Sequence, residues 1–124
     1  VYTAVGKSIM ARLPENEVKE IWDSTEIVKK TEKTVTSYTE FLKELDGVRK
    51  NGYATDIEEN EDGVCCVAAA VADVYGEYRY AFSVSAPVSR MNGEKLAKVG
   101  RTVVGTAKRI SNGEKADKNI VNII

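Results

Sequence analysis

The chain has 124 residues, 43% of them hydrophobic and 30% charged, with a formal net charge of -1. That is enough for one core and too little for two domains. The charge balance shows no clustered Lys/Arg excess of the kind that nucleic-acid binding by the whole chain would need. No apolar run approaches the roughly 18 residues of a membrane-spanning helix.

The sequence contains no histidine. Its absence removes Ser-His-Asp and Cys-His catalysis and most zinc sites, so no metal and no cofactor is expected. Cys65 and Cys66 are the only cysteines. On a strand, adjacent side chains point to opposite faces, so the expectation is two reduced thiols in a cytoplasmic protein rather than a shared site. Val1 is not an initiator methionine, and Tyr2-Thr3-Ala4 opens without a targeting pattern; the chain is expected to be part of a longer protein.

In chain order, Gly6 to Arg12 is expected to form a short helix with Ile9 and Met10 on its apolar side. Pro14 suits the first turn of a second helix, Glu15 and Glu17 favour its positive end, and Val18, Ile21 and Trp22 form its stripe. Trp22 reads as a core anchor. Ser37-Tyr38-Thr39-Glu40 matches a capping box, and Phe41, Leu42, Leu45 and Val48 follow at helical spacing up to a Gly52 cap. Lys43, Glu44, Arg49 and Lys50 read as the solvated face of that helix.

Three strands are expected next. Tyr53 to Glu58 is the first, followed by an acidic turn from Glu59 to Gly63. Val64 to Val74 is apolar on both faces and reads as central. Tyr75-Gly76-Glu77 turns the chain into Tyr78 to Ala86, where Tyr80, Phe82 and Val84 alternate with Ala81, Ser83 and Ser85. A last helix runs from Gly93 to Ser111, with Leu96, Val99, Val103, Ala107 and Ile110 apolar, and stops at Asn112-Gly113. Residues 112–124 form a weakly patterned tail in which Ile120, Val121, Ile123 and Ile124 either dock or stay disordered. Helices, a three-strand meander and a helix make an α/β domain of α+β type with an antiparallel sheet.

Gly6-Lys7-Ser8 resembles the end of a phosphate-binding loop, but the required Gly five positions earlier is Val1, so nucleotide binding is excluded. Thr3 to Lys7 still lies where a loop enters a helix, and its free N–H groups suit a small anion. Asp56, Cys66, Ser83 and Ser85 sit on adjoining strands and place small polar groups on an apolar wall, the make-up of a metabolite pocket. The plain alternative is that the serines occupy a crowded or solvated face and Asp56 an exposed turn. Catalysis by Asp56 as base or Cys66 as nucleophile is poorly equipped, with Lys7 the one nearby cation candidate.

These residues also resemble a family. Thr3-Ala4-Val5-Gly6-Lys7-Ser8-Ile9-Met10-Ala11 is similar to the Thr-Ala-x-Gly-Lys-Ala segment of the effector-binding domain of IclR-type bacterial transcriptional regulators. Leu42 to Arg49, Gly52-Tyr53-Ala54, Asp56, Glu58-Glu59, Gly63 to Ala69 and Ser83-Val84-Ser85-Ala86-Pro87 follow in the same order. The resemblance covers nearly all of residues 3–111, and its run of spaced motifs is specific.

It implies a GAF-like effector-binding domain, residues 1–111, lacking its amino-terminal part. Such a domain takes a small effector, often a carboxylate, and DNA is bound only through a winged helix-turn-helix outside this chain. It also implies homodimers or homotetramers, no enzymatic activity and no membrane association. The implied ligand contacts are the backbone of Ala4 and Val5 and the side chains of Asp56, Cys66, Ser83 and Ser85. The departure is Val1-Tyr2, which stands where the family carries His and a small residue; Tyr2 is either an edge effect or a residue that narrows the pocket. The competing expectations are a GAF-like oligomerisation module without ligand and, last, a small hydrolase using Cys66.

Overall fold

The structure, a computed structural model, describes residues 2–113. The expectations for Val1 and for the apolar tail residues Ile120, Val121, Ile123 and Ile124 lie outside the described residues. Three helices precede the sheet: α1 (Ala4–Met10), α2 (Glu15–Ser24) and α3 (Tyr38–Asn51). The sheet is β1 (Ala54–Ile57), β2 (Val64–Ala72) and β3 (Tyr78–Pro87), and α4 (Gly93–Ser111) follows a short 3-10 turn at Val88–Arg90. Mixed helices and one antiparallel sheet in the order β1-β2-β3 give the expected α+β architecture.

Local signals place the boundaries. Thr3 Oγ1 accepts from Gly6 N at 3.0 Å, so α1 starts two residues earlier than hydrophobic spacing alone suggests. Pro14 is the residue before α2 rather than inside its first turn. Ser37 Oγ accepts from Glu40 N at 3.5 Å, the forward half of the expected box. Gly52 ends α3 in the left-handed conformation at φ 86, as a C-terminal glycine should. Gly76 takes φ 77 in the β2–β3 turn, where Asp73 Oδ1 accepts from Tyr75 N and Glu77 N.

The two faces of the sheet pack on different helices. Cys65, Val67, Ala69, Val71, Val84 and Ala86 meet Val99, Val103 and Ala107 of α4. On the other face Ala54 and Ala68 join Ala4, Met10, Ala11, Val18, Trp22, Phe41, Leu45 and Val48. Trp22 anchors this second core as expected, its ring 4.9 Å from that of Phe41 and 5.6 Å from that of Tyr38. Ile21, placed on the stripe by spacing, is exposed instead. The face beneath α1 carries Ala54, Ala68, Cys66, Ser83 and Ser85 with Asp56, and small residues let a helix approach a sheet closely. No helix among the described residues is long and apolar enough to cross a membrane.

Candidate functional site

Register brings the polar residues together. Asp56 pairs with Cys66 across β1 and β2, and Cys66 pairs with Ser85 across β2 and β3, so the three form one row on the α1 side of the sheet. Ser83, two residues from Ser85, lies on the same face opposite Ala68. Cys66 Sγ and Ser85 Oγ are 2.8 Å apart.

The first turn of α1 ends over this row. A cavity of about 360 Å³ lies between them, lined by Thr3, Ala4, Val5, Asp56, Asn60, Glu61, Val64, Cys66, Ser83 and Ser85. All six residues singled out in the sequence border it. Ser83 and Ser85 are exposed, so the cavity is open on the β3 side. The N–H groups of Ala4 and Val5 belong to the first turn, where no intrahelical acceptor exists. Tyr2 does not narrow the cavity: its hydroxyl donates to Glu26 O at 3.3 Å and accepts from Val28 N, outside the lining.

Asp56 is not an exposed turn residue. It is 4% exposed, and its Oδ1 accepts from Glu59 N at 2.9 Å and Asn60 N at 3.3 Å, folding the chain back after β1. Thr34 Oγ1 donates to Glu59 O at 2.5 Å, and Thr31 Oγ1 donates to Glu58 O. Glu58 itself sits at φ 59. Its carboxyl is held below the usual range, first by Lys33 and then by the Gly63 N–H. The acidic turn is therefore a tied loop forming one wall of the cavity.

Lys7 and Glu44, the latter expected on the solvated face of α3, are part of that tie. Lys7 is 2% exposed, and its Nζ donates to Glu59 Oε1 at 3.0 Å, Glu59 Oε2 at 2.9 Å and Glu44 Oε2 at 3.2 Å. Glu59 is buried with it. Burial pushes the Glu59 carboxyl above its ordinary value, and Lys7 partly offsets the rise. Glu44 thus leaves the solvated face of α3 for an ion pair, and Arg49 Nε donates to Ala11 O at 2.8 Å. Nothing in the local pattern signals this cluster except a Lys at a helix position flanked by Gly6 and Ser8.

Lys7 is committed to two carboxylates, so it does not serve as the cation that would activate Cys66. Cys65 points into the α4 core, where burial pushes its thiol up to about 11. Alkylation of the native protein with iodoacetamide at pH 8 is expected to modify Cys66 alone, as read by peptide mass; Cys65 should react only after unfolding. Among the described residues no group of His, Cys, Asp and Glu is arranged to hold a metal ion.

The family model for the bacterial transcriptional regulator IclR C-terminal domain matches residues 1–112. The chain belongs to that family. It is 38% identical over 109 residues to the HTH-type transcriptional regulator KdgR of Escherichia coli K12, a match covering 88% of this chain and 41% of that protein. Among solved structures, the Thermotoga maritima IclR superposes with a TM-score of 0.85 at 37% identity, over 90% of this chain and 45% of that one. The inducer-binding domain of a PobR double mutant from Acinetobacter, in complex with 3-hydroxybenzoic acid, superposes with a TM-score of 0.81 at 27% identity, over 90% of this chain and 64% of that one. The chain spans about two fifths of the length of the curated relatives it matches. Those relatives are transcriptional regulators, not enzymes.

Proposed function

We propose that this chain is the effector-sensing part of a cytoplasmic IclR-type transcription factor. It binds a small carboxylate metabolite and thereby modulates DNA binding by a separate winged helix-turn-helix domain. The observation that carries this reading is the single cavity in which Ala4, Val5, Asp56, Cys66, Ser83 and Ser85 converge. The 3-hydroxybenzoic acid complex of the PobR domain adds support for an organic acid as ligand.

The chemistry follows from the donors. A ligand carboxylate accepts from the N–H groups of Ala4 and Val5, favoured by the positive end of a helix, and from the hydroxyls of Ser83 and Ser85. When the Cys66 thiol donates to Ser85 Oγ, the serine proton stays free for the ligand. Hydrogen bonds to a charged group contribute about 1.5–3 kcal/mol each, enough for micromolar binding after the costs of association. Output requires the ligand to favour one dimer or tetramer arrangement over another, a coupling of about 1–3 kcal/mol in typical cases.

Calorimetric titration of organic acids into wild type and the Ser83→Ala/Ser85→Ala variant tests the assignment. The expected result is affinity at least tenfold weaker in the variant, with an unchanged melting temperature. Equal affinity would remove the serines from the site. The exposure of Ser83 and Ser85 on an edge strand favours a second reading, a packing module that mediates oligomerisation without ligand. No heat with any acid, together with a stable dimer in sedimentation, would select it.

A further inference from the structure

We propose that this chain carries a second ligand site, for a small organic anion, in a notch at the free edge of β2. The anionic group, a carboxylate or a phosphate, is held between Arg12 and Lys108.

The notch follows from strand lengths. β1 begins at Ala54, opposite Ala68, while β2 continues to Ala72. Ala69 to Ala72 therefore have no strand beside them on that edge. The Gly52 turn and the end of α4 border the gap, and Ser111 Oγ closes its far end by accepting from Ala72 N at 2.9 Å. Three of the four unpaired residues are alanines, so few atoms fill the space, and a cavity of about 420 Å³ remains. That is within the range of small-molecule sites. It shares no lining residue with the cavity under α1.

Charge sets the class of ligand. The lining contains two cations, Arg12 and Lys108, and among its described residues no carboxylate. Neither cation has an ion-pair partner among the described residues. Arg12 is oriented by stacking, with Cζ 4.6 Å from the centroid of the Tyr78 ring. A guanidinium stacked by its face keeps the N–H groups of its edge free, and that fork matches a carboxylate or phosphate with two parallel bonds. Lys108 supplies a point charge, and the Asn112 amide a further donor at the rim. Ala69, Ala70 and Ala107 are buried and offer an apolar wall to the body of the ligand.

The plain alternative is that the cations do no more than offset helix ends. α3 ends at Gly52 and α4 at Asn112, each carrying about half a negative charge. Those ends are already capped: Gly52 N donates to Val48 O at 2.7 Å, Asn112 N to Lys108 O and Arg109 O at 3.1 Å, and Gly113 N to Ile110 O at 2.9 Å. Two full positive charges exceed two half charges, and Arg12 lies on neither of those helices. A neutral or cationic ligand leaves that surplus in place; an anion neutralises it.

The test is an NMR titration that follows backbone amides, with phenyl phosphate, benzoate and, as the uncharged match, benzyl alcohol. The expected result is saturable shifts of the Gly52, Ala70 and Ala72 amides with at least one of the two anions and none with the alcohol. Arg12→Gln and Lys108→Gln should each weaken that binding at least tenfold. Both side chains are exposed, so both variants are expected to melt at the wild-type temperature. The Ser83→Ala/Ser85→Ala variant should bind at the notch as wild type does, which separates this site from acid sensing under α1. Binding of phenyl phosphate alone, or of benzoate alone, supports the site and names its anionic group. Shifts as large with benzyl alcohol, or affinity unchanged in both charge variants, would overturn the anion site. So would the absence of shifts at these amides up to about 10 mM of either anion, and each of these results leaves the reading of the α1 cavity untouched.

Discussion

Replacing Lys7 by methionine is expected to destabilise the fold by about 3–5 kcal/mol at pH 7, the usual cost of breaking a buried ion pair by removing one partner. Methionine fills much of the volume of the lysine stem, so the loss reports charge more than packing. Two carboxylates remain, Glu59 buried and Glu44 partly so, with no cation between them. In the wild type, burial already holds the Glu59 carboxyl above its ordinary value while Lys7 pulls it down. Without Lys7 the carboxyl rises further.

The sign of the pH dependence follows. A carboxyl whose folded value is raised binds its proton more tightly in the folded state than in the unfolded chain. Stability is therefore gained as pH falls through the folded value and is fully gained below the ordinary glutamate value. The variant is expected to recover part of its loss between pH 7 and pH 5, before general acid denaturation begins. Urea unfolding at both pH values reads this directly. A loss below 1 kcal/mol, or one identical at the two pH values, would show that the cluster is not the buried ion network described. Because Glu59 anchors the wall that carries Asn60 and Glu61, ligand affinity should fall with it.

Gly100→Ala is expected to cost about 1–3 kcal/mol, the range for overpacking, although alanine is the better helix former by about 1 kcal/mol. A methyl group at position 100 would sit 2.5 Å from Cζ of Tyr53, 2.6 Å from Cε1 and 2.8 Å from Cε2. Gly100 is a close-approach glycine: α4 packs down on the Tyr53 ring because it has no side chain there. In a Tyr53→Ala background the same substitution should turn favourable, since the obstruction is gone and the helical preference remains. A double-mutant cycle by thermal or urea unfolding shows the sign change. Additive effects would mean that Tyr53 moves aside at no cost.

Much of this domain is legible in local pattern. Ser37, Gly52 and the Asn112-Gly113 pair mark helix ends because capping acts within a turn of the backbone. Alternation along β3 places Ser83 and Ser85 on one face because strand geometry has a period of two. β1 and β2 stop short of Tyr53, Glu58 and Val74, where the residue pattern predicts strand, since pairing stops where the partner strand ends, not where β-forming residues end. Local pattern puts Glu44 on a solvated helix face and Glu59 in an acidic turn, and gives neither a partner. Their partner is a lysine 37 and 52 residues away, respectively, and no short-range rule reaches that far.

By itself the sequence determined the class of chemistry. Without histidine it offers no Ser-His or Cys-His pair, and its spaced motifs are those of the IclR C-terminal family. Only the tertiary structure decided where the polar groups meet. Antiparallel register set Asp56, Cys66 and Ser85 in a row, and α1 docked its first turn above them because both surfaces are built of small residues. Register and docking are settled by burying the whole sheet face at once. For that reason the meeting of Asp56, Cys66, Ser83 and Ser85 at one cavity could not be read from their neighbours in the chain.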